Sequence, residues 1–503
     1  MSLQCHNLTF AHPGAGDNLF QNLACSFNAQ WTGVVGENGA GKTTLLKILC
    51  GLLETPPGMV TRRGRAFYCP QRTDDPPENL PDFFDAHDPR GRELRLSLRL
   101  DDDMAARWPT LSHGERKRVQ IACALWDGPG ILALDEPTNH IDAHARGLLI
   151  RALQSFTGTG LLVSHDRELL DTLCGQCLFI TPPRAVMRPG GVTQGYREDQ
   201  REQAAARDAD LRAGHALSRL RGEAQRRREQ GEKFASEARK KSKSLGNNDH
   251  DDRARMNLAR LTGKDAFSGK LVKQLGKRIQ SAVAERKNIT VRKTHDLGVT
   301  VARAAPSQRA HLFHIPATTL PLRPGCNLIV PELRMSPADR VALTGVNGSG
   351  KSTLLRHILP RLNIEPERLI HIPQEITAGE ARDTLRMVRE LPAAGRGLLM
   401  TTVSQLGSRP GRLLESAQPS PGETRKLLLA LGLLRSPELI LMDEPTNHMD
   451  LPSIQCLEDA LSEVRCGLLL VSHDRPFLER LTTLPWHIAA LATGDFALEL
   501  RGS

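Results

Sequence analysis

Two stretches, GENGAGKTT at Gly36–Thr44 and GVNGSGKST at Gly345–Thr353, decide the fold. Each has the form GxxxxGK[ST]. Each follows a short apolar run, TGVV at Thr32–Val35 and VALT at Val341–Thr344, and each leads into a helix-favouring run, TLLKIL and TLLRHI. A buried strand, a glycine turn and a helix in that order make an anion cradle, because glycines let backbone N–H groups wrap phosphate oxygens while the helix N-terminus faces them. A glycine turn with a stray lysine does not account for two copies in register. The first cradle comprises Gly36, Glu37, Asn38, Gly39, Ala40, Gly41, Lys42, Thr43 and Thr44. The second comprises Gly345, Val346, Asn347, Gly348, Ser349, Gly350, Lys351, Ser352 and Thr353. The spacing predicts that Lys42 and Lys351 reach the β- and γ-phosphates of a nucleoside triphosphate, and that the hydroxyls of Thr43 and Ser352 ligate Mg²⁺.

The duplication extends beyond the cradles. DEPTNH occurs at Asp135–His140 and again at Asp443–His448, and VSHDR at Val163–Arg167 and Val471–Arg475. Order and spacing are kept: Ser112 to Asp135 and Ser420 to Asp443 each span 23 positions, and Glu136 to His165 and Glu444 to His473 each span 29. Each acidic pair ends an apolar strand, ILAL or LILM. Asp135 and Asp443 suit Mg²⁺ and its water shell, and Glu136 and Glu444 suit polarising the water that attacks the γ-phosphate. A solvated loop after a core strand does not explain why both pairs sit a fixed distance from a cradle. His165 and His473 also follow a buried strand, at the edge of a parallel sheet where ligands bind, within reach of γ-phosphate and water.

The full chain of 503 residues is long enough for two or three domains. The longest nearly unbroken apolar run, Leu427 to Leu434, falls far short of the ~20 residues a membrane-spanning helix needs. The N-terminal MSLQCHNLTF carries no secretory signal, so the expected location is the cytoplasm. Ten cysteines are scattered without a secreted disulfide pattern, and the CxxC pair Cys174 and Cys177 lacks the further ligands a structural zinc requires. Net charge is +10, and residues 201–293 alone hold 25 Lys and Arg against 12 Asp and Glu, a balance of +13. From 196 to 293 the chain is rich in Arg, Lys, Glu, Ala and Gln and has no proline, which favours helix. A polar break at Gly246–Asp252 suggests a helical hairpin with its tip near Asn247 and Asn248, although interior glycines at 214, 222, 231, 263, 269 and 276 each cost about 1 kcal/mol relative to Ala. A first arm from 198 to 245 would reach roughly 70 Å. The domain expectation is therefore 1–195, 196–293 and 294–503, an α/β chain in which two P-loop domains are joined by a basic α-helical hairpin linker.

Taken together, the P-loops, a glutamine after a strand (YCPQ at Gln71, HIPQ at Gln374), LSHGE at Leu111–Glu115, the DE pairs and the SHD histidines resemble the ATP-binding cassette family. Two cassettes without a membrane domain, DEPTNHID and DEPTNHMD, and a basic helical linker resemble its F subfamily, whose members bind ribosomes. The resemblance implies ATP hydrolysis with Mg²⁺, Gln71 and Gln374 serving both metal and catalysis, and head-to-tail pairing within one chain, as a monomer. The cradle of Lys42 would meet Pro419–Glu423, and that of Lys351 would meet Leu111–Glu115. Signature residues Ser112, Gly114, Glu115, Ser420, Gly422 and Glu423 would then cap the γ-phosphate. Where the usual signature has two glycines this chain has HG and PG, and Pro421 lacks an N–H, so the Lys42 site is expected to hydrolyse more slowly than the Lys351 site. His12 stands where an adenine-stacking aromatic is usual, and the second half offers no evident counterpart. Little room remains between Gln71 and Leu111 for an extra arm, and the chain stops 30 residues after His473, so a compact member is expected.

The linker admits two readings, a solvated connector or a probe lying against RNA phosphates; RRR at Arg226–Arg228 and RKK at Arg239–Lys241 suit the second. With only Phe234 and Phe267 as aromatics between 201 and 293, shape and phosphate contact fit folded RNA better than base stacking. The resemblance implies a ribosomal target near the tRNA exit region, with rRNA and tRNA met through the linker, ATP closing the cassettes and hydrolysis releasing them. The role would be that of a general translation factor or of one that rescues antibiotic-stalled ribosomes. The competing class is the ATP-hydrolysing subunit of a membrane transporter, which has no reason to carry a basic hairpin between halves. DNA-repair ATPases of related fold usually add zinc modules or very long coiled coils.

Overall fold

A computed structural model of the chain describes residues 3–14, 17–138, 141, 143–244, 264–288, 307–407, 420–447 and 449–500. The expected linker tip at Gly246–Asp252, and Asn139, His140, Pro419 and His448 of the quoted motifs, lie outside the described residues. Contacts divide the chain into two compact units: Met1–Gly195 together with His295–Ser503, and Tyr196–Thr294. The two cassettes thus share one unit.

In the first cassette, β1 (Leu3–Phe10), β2 (Phe20–Phe27) and β4 (Val60–Arg62) form an antiparallel sheet. The strands β3 (Trp31–Gly36), β5 (Ala66–Cys69), β6 (Ile131–Asp135), β7 (Thr159–Val163), β8 (Cys174–Thr181) and β9 (Arg184–Pro189) form a second sheet in the order β5-β6-β7-β3-β8-β9. Its pairs are parallel from β5 to β8, and β9 is antiparallel. In the second cassette, β10 (Phe313–Ile315) and β13 (Leu333–Met335) pair antiparallel. The larger sheet there comprises β11 (Thr318–Arg323), β12 (Cys326–Val330), β14 (Arg340–Gly345), β15 (Leu369–Ile372), β16 (Leu439–Asp443), β17 (Gly467–Val471), β18 (Leu484–Ala490) and β19 (Phe496–Leu500). Its order, β15-β16-β17-β14-β18-β19-β12-β11, repeats the first cassette's sheet and extends it by a hairpin.

The apolar runs explain these sheets. ILALD, TGLLV, LILMD and GLLLV are buried at every position. Parallel strands covered on both faces read as continuous apolar runs rather than alternating ones. Leu45, Leu46 and Ile48, on the helix Lys42–Cys50, close the first core over Val34, Ala133, Leu161 and Val163. Leu354, Leu355 and Ile358 do the same over Val341, Leu343, Leu441 and Leu469. Gly160 has a packing requirement: a Cβ there would come within 2.4 Å of the Trp31 ring, which lies opposite it in the β3–β7 ladder.

The CxxC pair is part of this packing. Cys174 and Cys177 are free and buried, and the Cys177 Sγ would stand 2.8 Å from a Cβ at Gly33. Among the described residues no cluster of three or more His, Cys, Asp and Glu is placed to hold a metal ion.

The second unit carries two helices, Val192–Ser244 and Lys264–Asn288, the first beginning within the cassette unit. The longer runs 53 residues through Gly214 and Gly222, about 80 Å at 1.5 Å per residue. Arg286 bridges to Asp210 with contacts of 2.7 and 3.0 Å, tying the two helices together. Among the described residues no helix is long and apolar enough to cross a membrane.

Candidate nucleotide sites

Each cradle lies at the C-terminal end of its central strand, where the chain turns into a helix. Gly41 and Gly350 sit at the helix N-termini with φ of 91° and 99°. Gly39 and Gly348, also at positive φ, have open space where a side chain would stand. The left-handed backbone that glycine alone adopts at low cost therefore leaves the loop face clear for an anion. Lys42 Nζ donates to the carbonyls of Gly36 (2.9 Å) and Glu37 (3.1 Å), and Lys351 Nζ to those of Gly345 (2.8 Å) and Val346 (3.2 Å). Each lysine thus braces its loop, and burial pulls the Lys42 pKa down against the nearby carboxylates.

The strand-end acids meet the cradle hydroxyls. Thr43 Oγ1 donates to Asp135 Oδ2 at 2.7 Å and Ser352 Oγ to Asp443 Oδ2 at 3.2 Å. Tyr68 adds a hydrogen bond to Asp135 at 3.0 Å. Glu136 and Glu444 follow, both only 5% exposed. Burial, opposed by Lys42 and Lys351 respectively, pushes each carboxyl up to about 7. Both glutamates have a left-handed backbone, φ 48° and 49°, and their N–H groups donate to Val163 O and Val471 O at 2.8 Å. A non-glycine residue held there costs on the order of 1 kcal/mol, which the fixed loop imposes identically in both halves. His165 Nε2 lies 3.1 Å from Glu136 Oε1. His473 Nε2 is 3.5 Å from Glu444 Oε1 and 3.2 Å from Asn347 Oδ1.

The structure brings opposite halves together unequally. A cavity of about 560 Å³ is lined by Asn38, Gly39, Gly41, Lys42, Thr43, Thr44, Gln71, Asp135, Glu136 and His165, and by Ser420 and Gly422 of the second half. The signature expected there is present. Glu423 joins it in an adjoining cavity with Glu37, Asn38 and Ala40. Across the same gap the Asn38 N–H donates to Asp450 Oδ2 at 2.7 Å. Around Lys351 a cavity of about 430 Å³ is lined by Asn347, Gly348, Gly350, Ser352, Thr353, Gln374, Asp443, Glu444 and His473. Its opposite wall is Thr138, Ile141, Arg146, His165 and Asp166. Among its described lining residues Ser112, Gly114 and Glu115 do not occur, so the second expected pairing is not brought together here.

The two signatures cap their helices alike. Ser112 and Glu115 form a reciprocal capping box, and so do Ser420 and Glu423, with cap angles of φ −63°, ψ 157° and φ −63°, ψ 158°. Pro421 occupies the first helical position, where an N–H has no intrahelical partner. It removes one donor without distorting the cap.

Several participants do not stand out from the motifs. Lys117, 1% exposed, donates to Pro70 O (2.7 Å), Gln71 O (3.1 Å) and Gln120 Oε1 (2.8 Å). Burial pushes its ammonium down to about 8. Arg425, at the same repeat position, donates to the carbonyls of Gln374 and Asn447. A cation beneath each signature helix thus holds the backbone of each Gln loop; the repeat offset could have exposed the pair. His12 Nε2 stands 3.3 Å from Thr44 Oγ1, beside the first cradle. In the second half the aliphatic Leu322 lines the cavity around Lys351.

Two triphosphate cradles, each with a strand-end Asp-Glu pair and a histidine on one sheet edge, define an ATP-binding cassette enzyme in duplicate. The ABC transporter family model matches residues 20–139 and 330–447. The chain is 30% identical to the ATP-binding protein Uup of Caulobacter vibrioides, over 90% of this chain and 71% of that protein. It is 27% identical to the ribosome protection protein VmlR of Bacillus subtilis, over 90% of this chain and 80% of the relative. Its fold matches the solved structure of RNase-L Inhibitor with a TM-score of 0.62 at 18% identity, covering 96% of this chain and 88% of that one. The chain belongs to the ABC-F subfamily of ATP-binding cassette proteins and is an ATP hydrolase.

Proposed function

We propose that this ATPase binds the ribosome in its ATP-closed form near the tRNA exit region, modulates translation, and leaves on hydrolysis. The basic helical unit carries this reading: residues 201–293 concentrate a charge of +13 in a chain whose total is +10. Positive charge along a long helix suits rRNA and tRNA phosphates, whose neutralisation releases counterions. The naming of one relative as a ribosome protection protein supports the same target. Residues 1–195 and 294–503 act as the paired cassettes of a monomer in the cytoplasm, and 196–293 as the probe.

Each ATP is shared between halves. Gly36–Thr44 with Ser420, Gly422 and Glu423 hold one, and Gly345–Thr353 with Ser112, Gly114 and Glu115 close on the other. Glu136 and Glu444 orient and polarise the attacking water, and His165, His473, Gln71 and Gln374 hold the γ-phosphate and that water in place. Mg²⁺ fits the hard oxygen donors that already converge, Thr43 with Asp135 and Ser352 with Asp443, and Gln71 and Gln374, which line the same two cavities, would complete each set. Bound there, it would neutralise phosphate charge.

The test is co-sedimentation of the Glu136→Gln, Glu444→Gln double variant with purified ribosomes, with and without ATP. Trapping that requires ATP and weakens steeply with salt is expected; pelleting unaffected by ATP would overturn the proposal. Membrane fractionation of the wild-type chain separates out the transporter-subunit reading, under which the chain would pellet with membranes.

A further inference from the structure

We propose that Arg146 of the first cassette is a positioning residue for the second ATP site, holding the loop that carries His473 by its backbone carbonyl. Arg146 stands on the helix Ala143–Gln154 and is only 7% exposed. It forms part of the cavity wall facing Lys351, Glu444 and His473. Its Nη2 donates to His473 O at 2.9 Å. The remaining edges of the guanidinium are held within its own half, Nη1 on Glu168 Oε2 at 3.0 Å and Nε at 3.1 Å from Asp166 Oδ2. Asp166 directly follows His165. One planar cation therefore joins the loop after one catalytic histidine to the loop carrying the other, across the boundary between halves.

The device is one-sided. At the repeat offset of 308 the position of Arg146 is taken by Ile454, which is buried and apolar and offers no donor to the His165 loop. A second contact nearby is one-sided too: Arg167 Nη1 lies 2.7 Å from Glu458 Oε1, and the repeat counterpart of Glu458 is Ile150. A buried arginine is retained only where its charge and donors are met, and here one donor is spent on a carbonyl of the opposite half. Because that carbonyl belongs to His473, whose ring faces Glu444 and Asn347, moving it moves the ring. The Lys351 site thus responds to the placement of the first cassette in a way the Lys42 site does not.

The proposal rests on the ATPase reading of the site, and it is tested on the purified full chain without ribosomes, so failure of the ribosome proposal leaves it standing. Losing a buried charged donor should lower kcat of Arg146→Met about tenfold while KM for ATP changes less than about twofold. Arg146→Lys, which keeps a cation able to reach the carbonyl, should recover part of the loss. In a Glu136→Gln background, where turnover is left to the Lys351 site, the full loss should persist; in a Glu444→Gln background it should be much smaller. Equal losses in both backgrounds, or a change confined to KM, would overturn the assignment. Backbone amide exchange gives a second reading that needs no turnover: residues 472–475 should exchange faster in both Arg146 variants, and unchanged protection there would also overturn it.

Discussion

Burial gives Glu136 and Glu444 their chemical character. Each carboxyl is removed from water beside a lysine, and its pKa rises from the usual carboxylate value to about 7. A raised carboxyl pKa means the neutral acid below 7 and the carboxylate above it, and only the carboxylate can polarise the attacking water. The ATPase rate should therefore fall as pH drops through about 7, read from kcat between roughly pH 5.5 and 8.5. A rate that stays flat across that range would contradict the assignment. Pro421 is a second residue with a consequence: it leaves the capping box intact but removes one N–H from the signature facing Lys42. Glu444→Gln should accordingly lose the larger share of steady-state ATPase activity, and Glu136→Gln the smaller. Equal losses would show that the missing donor is immaterial. The places of these residues at the strand ends and the signature helix were legible in their types and spacing, whereas the left-handed backbone of both glutamates was not, since glutamate has no local preference for that conformation.

Among the elements, the central strands were readable because their apolar runs have no alternation, which in an α/β context requires cover on both faces. The linker helices were readable from composition, and the long helix runs through glycines at 214 and 222 that weaken it without breaking it. RRR at Arg226–Arg228 lies on that helix, with Arg227 also 2.6 Å from Glu223 one turn back. Replacing all three arginines with Gln should leave ATPase activity in place and weaken ATP-dependent ribosome binding. The slope of log affinity against log salt should shrink by about one for each phosphate that is no longer neutralised. Co-sedimentation over a salt series measures this, and an unchanged slope would place the RNA-binding surface elsewhere. The cations under the signature helices, Lys117 and Arg425, do not stand out in the sequence because a lysine or arginine on an amphipathic helix is ordinarily a solvated one. Only the packing of that helix against the Gln loop turns them inward.

For the whole molecule, the contacts between halves set the asymmetry. Glu458, 2% exposed, receives Arg167 from the first cassette at 2.7 Å and Arg480 from its own at 2.8 Å. Converting it to Gln removes the buried charge that both arginines share, and should destabilise the nucleotide-free chain by about 3 kcal/mol. Denaturant unfolding measures the loss, and an unchanged midpoint would show the pair to be energetically idle. The sequence by itself determined the duplicated cradles, the acids and histidines of each half, the parallel sheets and the basic helical insert. These follow from short-range spacing, from burial patterns and from a repeat that can be aligned with itself. Only the tertiary structure decided two of the meetings between halves: Asp450 against the Asn38 N–H, and Arg146 on the His473 carbonyl. Those partners lie hundreds of residues apart, and nothing in local propensity ranks one such meeting over another. The packing of the two cassettes selects them, and it selects differently on the two sides because Arg146 and Glu458 have isoleucines as their repeat counterparts.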